Sequence, residues 1–341
     1  MRKRRDTVKT LSDKKFSGKW LRRALAAGIF ALVVLVVVMM ENNILFARNR
    51  YIYVLLCYIG IYSIATSGLD VLFGYAGQIS LGHAAFFGIG AYASALLTTR
   101  AGLTFWAALP LVVLITASIG MVLGMPSLRL REDFLAVTTI GINFIVESVF
   151  LYVPFFGGAL GIGGIPSVYL FGTRLKGVLF LYMCLAFLAA TLAISWRFTR
   201  SWAGLACFAL REEETAASSA GVSPVRFKLT AFVIGTAMAG LGGALYAHQM
   251  RFISATDFGF PLSIMMMSMV VLGGIGTLWG PVLGALILGA LPEIFRPLVD
   301  YRMLLNAAVL LMMIRFQPEG LLGEGGLLRR ILPVRGGEGR G

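Results

Sequence analysis

The chain has 341 residues, of which 58% are hydrophobic and 13% charged, with 41 glycines and a formal net charge of +14; its mean hydropathy is +0.84. That balance excludes an ordinary soluble domain and predicts a polytopic membrane protein, because apolar runs of roughly 20 residues, enough to cross a bilayer, recur along most of the chain. The positive charge collects at the membrane face, so it reads as topology and attraction to anionic lipid rather than as nucleic-acid binding.

The expected fold is all-α, a polytopic helical bundle of about ten transmembrane segments, some broken or re-entrant. A basic N-terminal tail, 1–21, comes first. The transmembrane domain follows over 22–316, with helices expected at Arg22–Met40, Tyr51–Phe73, His83–Thr99, Thr104–Met125, Phe134–Val153, Gly177–Phe198, Phe227–His248, Pro261–Leu278, Gly280–Phe295 and Arg302–Phe316, before a C-terminal tail over 317–341. Arg2, Lys3, Arg4, Arg5, Lys9, Lys14, Lys15 and Lys19 keep the N-terminus inside by the positive-inside rule. Ten crossings then place Arg129 and Arg131, the 199–228 loop and the C-terminal tail inside as well. The first apolar run is too long for a secretory signal, and Glu41, Asn42 and Asn43 follow it instead of a small-residue cleavage site. Cys57, Cys184 and Cys207 predict no disulfide framework.

From the end of the second expected helix into the third, the segment Gly74–Gly88 carries Gln78, Ser80 and His83 in a glycine-rich apolar setting. Polar groups at membrane depth need partners, and non-helical backbone is tolerated there only inside protein or along a watery cavity. Two compatible readings stand side by side: Gly77, Gln78, Ser80 and His83 face the translocation path, or the glycines permit close packing while the polar groups bond across helices. Further on, Glu147 is an ionisable residue in a span and Asn143 lies four residues earlier on the same face, so both join the candidate path. Asp70 and Glu293 sit nearer helix ends.

The polar stretch Trp202–Lys228 separates two long apolar runs. Arg211 and three glutamates ending at Glu214 precede Thr215, Ala216 and Ala217, with Gly221 four residues on. Small residues in a helix-turn-helix suit a cytoplasmic element that nestles into a partner, and Arg211, Glu214, Thr215, Ala216, Ala217 and Gly221 are its candidate docking residues. In the seventh expected span Gly235, Ala239, Gly243 and Ala247 recur every four residues and predict a packing groove. Met265, Met266 and Met267 read as packing too.

The chain lacks equipment for using ATP. A phosphate-binding loop needs Gly, four residues, then Gly-Lys and Ser or Thr, whereas Gly18-Lys19 is followed by Trp20. A loose dinucleotide match beginning at Gly88 has no preceding strand and lies in an expected membrane helix. His83 and His248 are the only histidines and no acidic residues stand at ligand spacing, so no metal centre or other cofactor is expected. No catalytic constellation is present, and the chain reads as a transporter subunit rather than an enzyme. Energy must come from a partner or an ion gradient; an ion-coupled carrier would lean on Glu147 alone, and a receptor or structural subunit would not need the Gln78–His83 interruption.

The run GYAGQISLGHAAFFGIGAY, from Gly74 to Tyr92, resembles the signature of the branched-chain amino-acid permeases of ABC importers. The resemblance continues through Pro126–Arg131, Ala239–Ala247, Val270–Pro281 and Phe316–Gly323, and the layout is similar to the M-type of the two permease subunits. In the docking stretch, Thr215-Ala216-Ala217 followed by Gly221 is similar to the Glu-Ala-Ala, three residues, Gly pattern of such permeases, with Thr215 in place of Glu. The resemblance implies a cytoplasmic (inner) membrane location in a bacterium or archaeon, a second, H-type permease, two ATP-binding subunits and an external solute-binding protein, with leucine, isoleucine and valine as substrates. Two departures keep urea, short amides or another small polar solute open. Phe156–Gly161 lacks the polar members of the relatives' glycine-rich loop, and Phe144 and Glu147 stand where relatives commonly place Glu and Arg.

Overall fold

The computed structural model describes residues 50–127, 132–294, 304, 307, 308, 311, 312, 315 and 320–323. The chain divides into two units, Met1–Ile52 with Leu332–Gly341, and Tyr53–Ile331. In the first, the described residues are the opening turn of a helix. Apart from that turn, everything below concerns the second.

Helix α1, Arg50–Asp70, continues into a π-helical turn, Val71–Tyr75, and together they supply the span Ile52–Tyr75. Its buried hydroxyls are satisfied within the helix, as serines in apolar helices commonly are. Ser63 Oγ donates to the Ile59 carbonyl at 2.6 Å, and Ser67 Oγ to the Ser63 carbonyl at 2.7 Å. Residues 76–82 are not helical. Then follow α2 (His83–Thr99), α3 (Phe105–Ser127) and α4 (Glu132–Tyr152). Pro154 stops α4, because a proline pushes the residue before it out of the helical region, and Val153 is extended with φ −88° and ψ 118°.

Two short antiparallel ribbons close this end of the bundle. β1 (Ile162–Gly163) pairs with β4 (Phe252–Ile253), Ile162 opposite Ile253, and β2 (Tyr169–Leu170) pairs with β3 (Thr173–Arg174). Helix α5, Val178–Thr199, leads to the elbow helices α6 (Trp202–Glu212) and α7 (Glu214–Ser219). Ser201 caps α6, its hydroxyl accepting from the Gly204 N–H at 3.3 Å, which satisfies one of the donors a helix start leaves free. Helix α8, Pro224–Met250, starts on a proline, which lacks the donor a first turn cannot use anyway. A turn, Ala255–Phe258, precedes α9 (Phe260–Gly273) and α10 (Gly280–Ile294).

The centre of the bundle is α8 against α1, α2 and α3. A side chain on Gly90 would overlap the Gly240 carbonyl, and one on Gly243 the Phe87 carbonyl, so these backbones meet without intervening side chains. Gly235, Ala239, Gly243 and Ala247 form the expected groove: Ala239 and Ala247 are fully buried, and Gly235 abuts Gly68 of α1. Next to it Phe87 meets Tyr246 edge-on at 5.4 Å and Phe258 at 6.0 Å. Such aromatic knots bury large areas and dominate core energetics.

Within the described residues, every expected helix from the second to the ninth is present, and six helices are long and apolar enough to cross a membrane. α2, at 17 residues, and α10 are shorter. The expected Arg22–Met40 helix lies outside the described residues; of the expected Arg302–Phe316 helix, Leu304, Ala307, Ala308, Leu311, Met312 and Arg315 are described and all are helical. The expected helix ending at Leu278 ends instead at Gly273. The reason is Gly274, which takes φ +119°, a conformation that L side chains rarely adopt.

Candidate translocation path and coupling site

Residues 76–82 form the break between α1 and α2, turned by Gly77 at φ +69°. Its backbone is held from both sides. The Gln78 N–H donates to the Leu72 carbonyl at 2.9 Å, and the Leu81 N–H to Thr139 Oγ1 of α4 at 3.0 Å. Gln78, Ser80 and His83 are fully buried. His83 Nε2 lies 3.0 Å from the Ala65 carbonyl and donates to it, which leaves Nδ1 as an acceptor. Among the described residues, His83 Nδ1, Ser80 Oγ and both polar atoms of the Gln78 amide have no hydrogen-bond partner.

A polar track runs along α4 beside this break. Thr139, Asn143 and Glu147 are four residues apart on this helix and therefore share a face. Asn143 is fully buried; its Oδ1 accepts from Ser263 Oγ of α9 at 3.3 Å and its Nδ2 donates to the Phe258 carbonyl at 3.5 Å. Ser263 Oγ in turn accepts from the Ala84 N–H in the first turn of α2 at 3.0 Å. The structure therefore joins Asn143 and His83 to one neighbourhood. Glu147 sits a turn further along, half-buried beside Gly259, and among the described residues no Lys or Arg pairs with it. Ser263 and Thr139 escape the sequence reading, although Thr139 continues the Asn143–Glu147 spacing backwards.

The predicted docking residues divide into an outer and an inner set. Thr215, Ala216 and Gly221 are exposed, Gly221 at φ +90° with open space around it. Glu214 bonds Lys228 of α8 at 2.6 Å, tying the elbow to the foot of that helix. Ala217 faces inward, packed with Ala206, Cys207, Leu210 and Phe227. Burial pushes the neighbouring Cys207 thiol up to about 11, with Lys228 opposing, because a low-polarity setting disfavours the thiolate.

Arg211 is exposed, yet its side chain reaches back to the bundle. Its guanidinium donates to the Gly74 carbonyl in the π-helical turn of α1. That carbonyl's neighbourhood includes a second anchor, for the Asp70 carboxylate accepts from the Gly276 N–H at 2.7 Å. Asp70 is buried, so its oxygen needs that donor. The Gly276 loop is gripped from its other side, where the Leu321 and Leu322 N–H groups donate to the Leu272 and Gly273 carbonyls, each at 3.0 Å. The end of α1, the elbow, the α9–α10 loop and the segment around Leu321 thus converge on one junction. Two motifs read only as signatures in the sequence meet there, Val270–Pro281 and, through its described residues 320–323, the end of Phe316–Gly323.

A polytopic helical bundle with a buried polar break and an exposed small-residue elbow is the architecture of a membrane permease. The family model described as branched-chain amino acid transport system / permease component matches residues 51–315, and the chain belongs to that family. The high-affinity branched-chain amino acid transport system permease protein LivM of Salmonella typhimurium is 38% identical over 306 residues, covering 82% of this chain and 71% of that protein. LivM of Escherichia coli is 37% identical over the same shares. LivH of Escherichia coli, a permease protein of the same system, is 32% identical over 154 residues, 45% of this chain and 48% of its own. No solved structure matches. The chain is a multi-pass transport permease component, not an enzyme.

Proposed function

We propose that the chain is the M-type permease subunit of an ATP-driven importer for leucine, isoleucine and valine, forming half of the path beside an H-type permease. Two ATP-binding subunits and an external solute-binding protein complete the assembly, and ATP is bound by the partners. The substrate assignment comes from the relatives' names; both LivM proteins carry it over most of this chain. In this reading the membrane domain has ten spans in a cytoplasmic membrane with both termini inside, α6 and α7 receive the ATP-binding subunit, and Gly77, Gln78, Ser80, His83, Asn143 and Glu147 border the path.

The observation that carries the mechanism is the Arg211–Gly74 bond, which links the elbow directly to the turn that opens into the polar break. An element displaced by a partner at Thr215 and Ala216 would move α6, and α6 holds the end of α1. The Gln78 amide and Ser80 hydroxyl, which lack partners among the described residues, supply dipoles for an ammonium or carboxylate. A buried polar group without a partner costs about 1–3 kcal/mol and favours a state in which one arrives. The test is reconstitution of the complete complex in proteoliposomes with labelled leucine, valine and urea as competing solutes. ATP-dependent leucine and valine uptake is expected. Urea transport in their place, or leucine uptake driven by a proton gradient without ATP, overturns the reading.

A further inference from the structure

A cavity of about 420 Å³ lies between α2, α3 and α4, with Ile89, Tyr92, Leu96, Ile119, Val149 and Phe155 among its walls. That volume falls within the range of ligand sites, roughly 300–1,000 Å³. Its lining is apolar but for Tyr92, whose hydroxyl has no hydrogen-bond partner among the described residues, so it offers no charge to the ammonium and carboxylate of an amino acid, which would lose most of their hydration uncompensated. The transported solute therefore does not belong there.

Two features say what does. The helices that bound the cavity on one side, α3 and α4, are the least buried of the six spans, with 28% of each window buried against 67% for α8, and Leu114 and Ile145 project outward from them. The cavity thus adjoins the least covered apolar face among the described spans. At its rim stands a cation. Arg100 follows the last turn of α2, and its guanidinium lies over the ring of Phe155, a cavity wall, at 5.0 Å from the centroid. Arg100 is exposed and follows the helix end, where a long basic side chain reaches the headgroup level. A contact with the Phe155 ring occupies none of the five N–H donors of a guanidinium, which stay available to a phosphate.

We propose that this cavity holds one acyl chain of a bilayer phospholipid whose anionic headgroup is bound by Arg100. The site is separate from the translocation path and does not depend on which solute is carried. The lipid fills space between α2 and α4, the helices that carry His83 and Asn143, and so steadies the path's walls from outside.

The test uses the full-length chain in its complex, purified in mild detergent and measured by native mass spectrometry with added phosphatidylglycerol or phosphatidylcholine. Retention of phosphatidylglycerol over phosphatidylcholine by about tenfold is expected for a charge-assisted headgroup contact. Arg100→Gln should reduce that preference to near unity while a lipid is still held. Ala93→Phe, or Ile119→Trp from the opposite wall, should fill the cavity and release the lipid, with complex assembly as the check on folding. Equal retention of both lipids by the unaltered chain, or undiminished retention in assembled cavity-filled variants, overturns the proposal. So does a photo-crosslinker at Ile119 that captures the second permease subunit instead of lipid.

Discussion

The carboxylate of Asp70 and the backbone N–H of Gly276, 206 positions apart, are joined by a hydrogen bond of 2.7 Å at the junction where α1, the elbow and the α9–α10 loop meet. A buried carboxylate contributes through such a bond only while the donor stays in place, and removal of its charge weakens the grip without changing the side chain's shape. Asp70→Asn should therefore lower uptake several-fold, the loss expected when a charge-assisted bond of about 1.5–3 kcal/mol becomes a neutral one. ATP hydrolysis per transported solute, measured in proteoliposomes, should rise. Unchanged stoichiometry with full uptake would show that the junction plays no part in coupling.

Arg211 allows a sharper version, because Lys can restore the charge but not the reach and fork of a guanidinium. Arg211→Ala should retain the ATP-binding subunits in a pull-down yet hydrolyse ATP with little uptake. Arg211→Lys should recover only part of the transport. Loss of the ATP-binding subunits from Arg211→Ala would instead place this residue in the docking surface.

The docking surface itself is tested where the side chains are exposed. Ala216→Arg adds bulk outside the fold and should abolish binding of the ATP-binding subunit while the melting temperature of the permease stays within a few degrees. Ala217→Arg is a different experiment, since that residue packs against Leu210 and Phe227 and a buried unpaired charge destabilises the elbow. Gly221 is held at φ +90°. Replacing it by Val strains that backbone by about 1–3 kcal/mol. If Ala216→Arg assembles and transports normally, the partner docks elsewhere.

Thiol chemistry reports on the break and on pH. Cys207, with its ionisation pushed up to about 11, stays a neutral thiol between pH 7 and 9 and should alkylate far more slowly than a free thiol. Its rate should climb as the pH approaches that value, since the thiolate is the nucleophile. Cysteines placed singly at Gln78, Ser80 or His83, in a background without Cys57, Cys184 and Cys207, should label differently in nucleotide-free and ATP-trapped complexes. Absence of labelling in both states with uptake intact would assign the cluster to helix packing.

Glu147 separates the two energy sources. Glu147→Gln should leave leucine uptake dependent on ATP and insensitive to an uncoupler, read as labelled leucine accumulated with and without a proton gradient. A proton dependence that the substitution removes would point to ion coupling.

Much of this is legible in the chain because the signals are local. Apolar runs mark α1 to α5 and α8 to α10 near their observed positions, though α8 starts at Pro224, three residues before the expected Phe227, and the four-residue spacing of Gly235 to Ala247 predicts a groove that the structure fills with α1 and α2. The polar break is legible for the same reason: Gln78, Ser80 and His83 contradict their apolar setting. What escapes is long-range. Nothing in the neighbourhood of Asp70 announces Gly276, and Arg211 reads as a docking residue alone until α6 is folded back against Gly74. The inward turn of Ala217 is hidden for a related reason, since a small residue at an outer interface and one at an inner contact look alike in sequence.

Helix α8 is a single element of 27 residues. At roughly 1.5 Å per residue it is about 40 Å long. Its foot is bolted to the elbow by Lys228 and Glu214; past its far end, Phe252 and Ile253 are stitched to Ile162 and Gly163. A rod fastened at both ends cannot be tilted at one without the other responding. A displacement imposed at the elbow would therefore be felt at the ribbon of Ile162 and Ile253 through a lever, with no need for a chain of small side-chain adjustments between them.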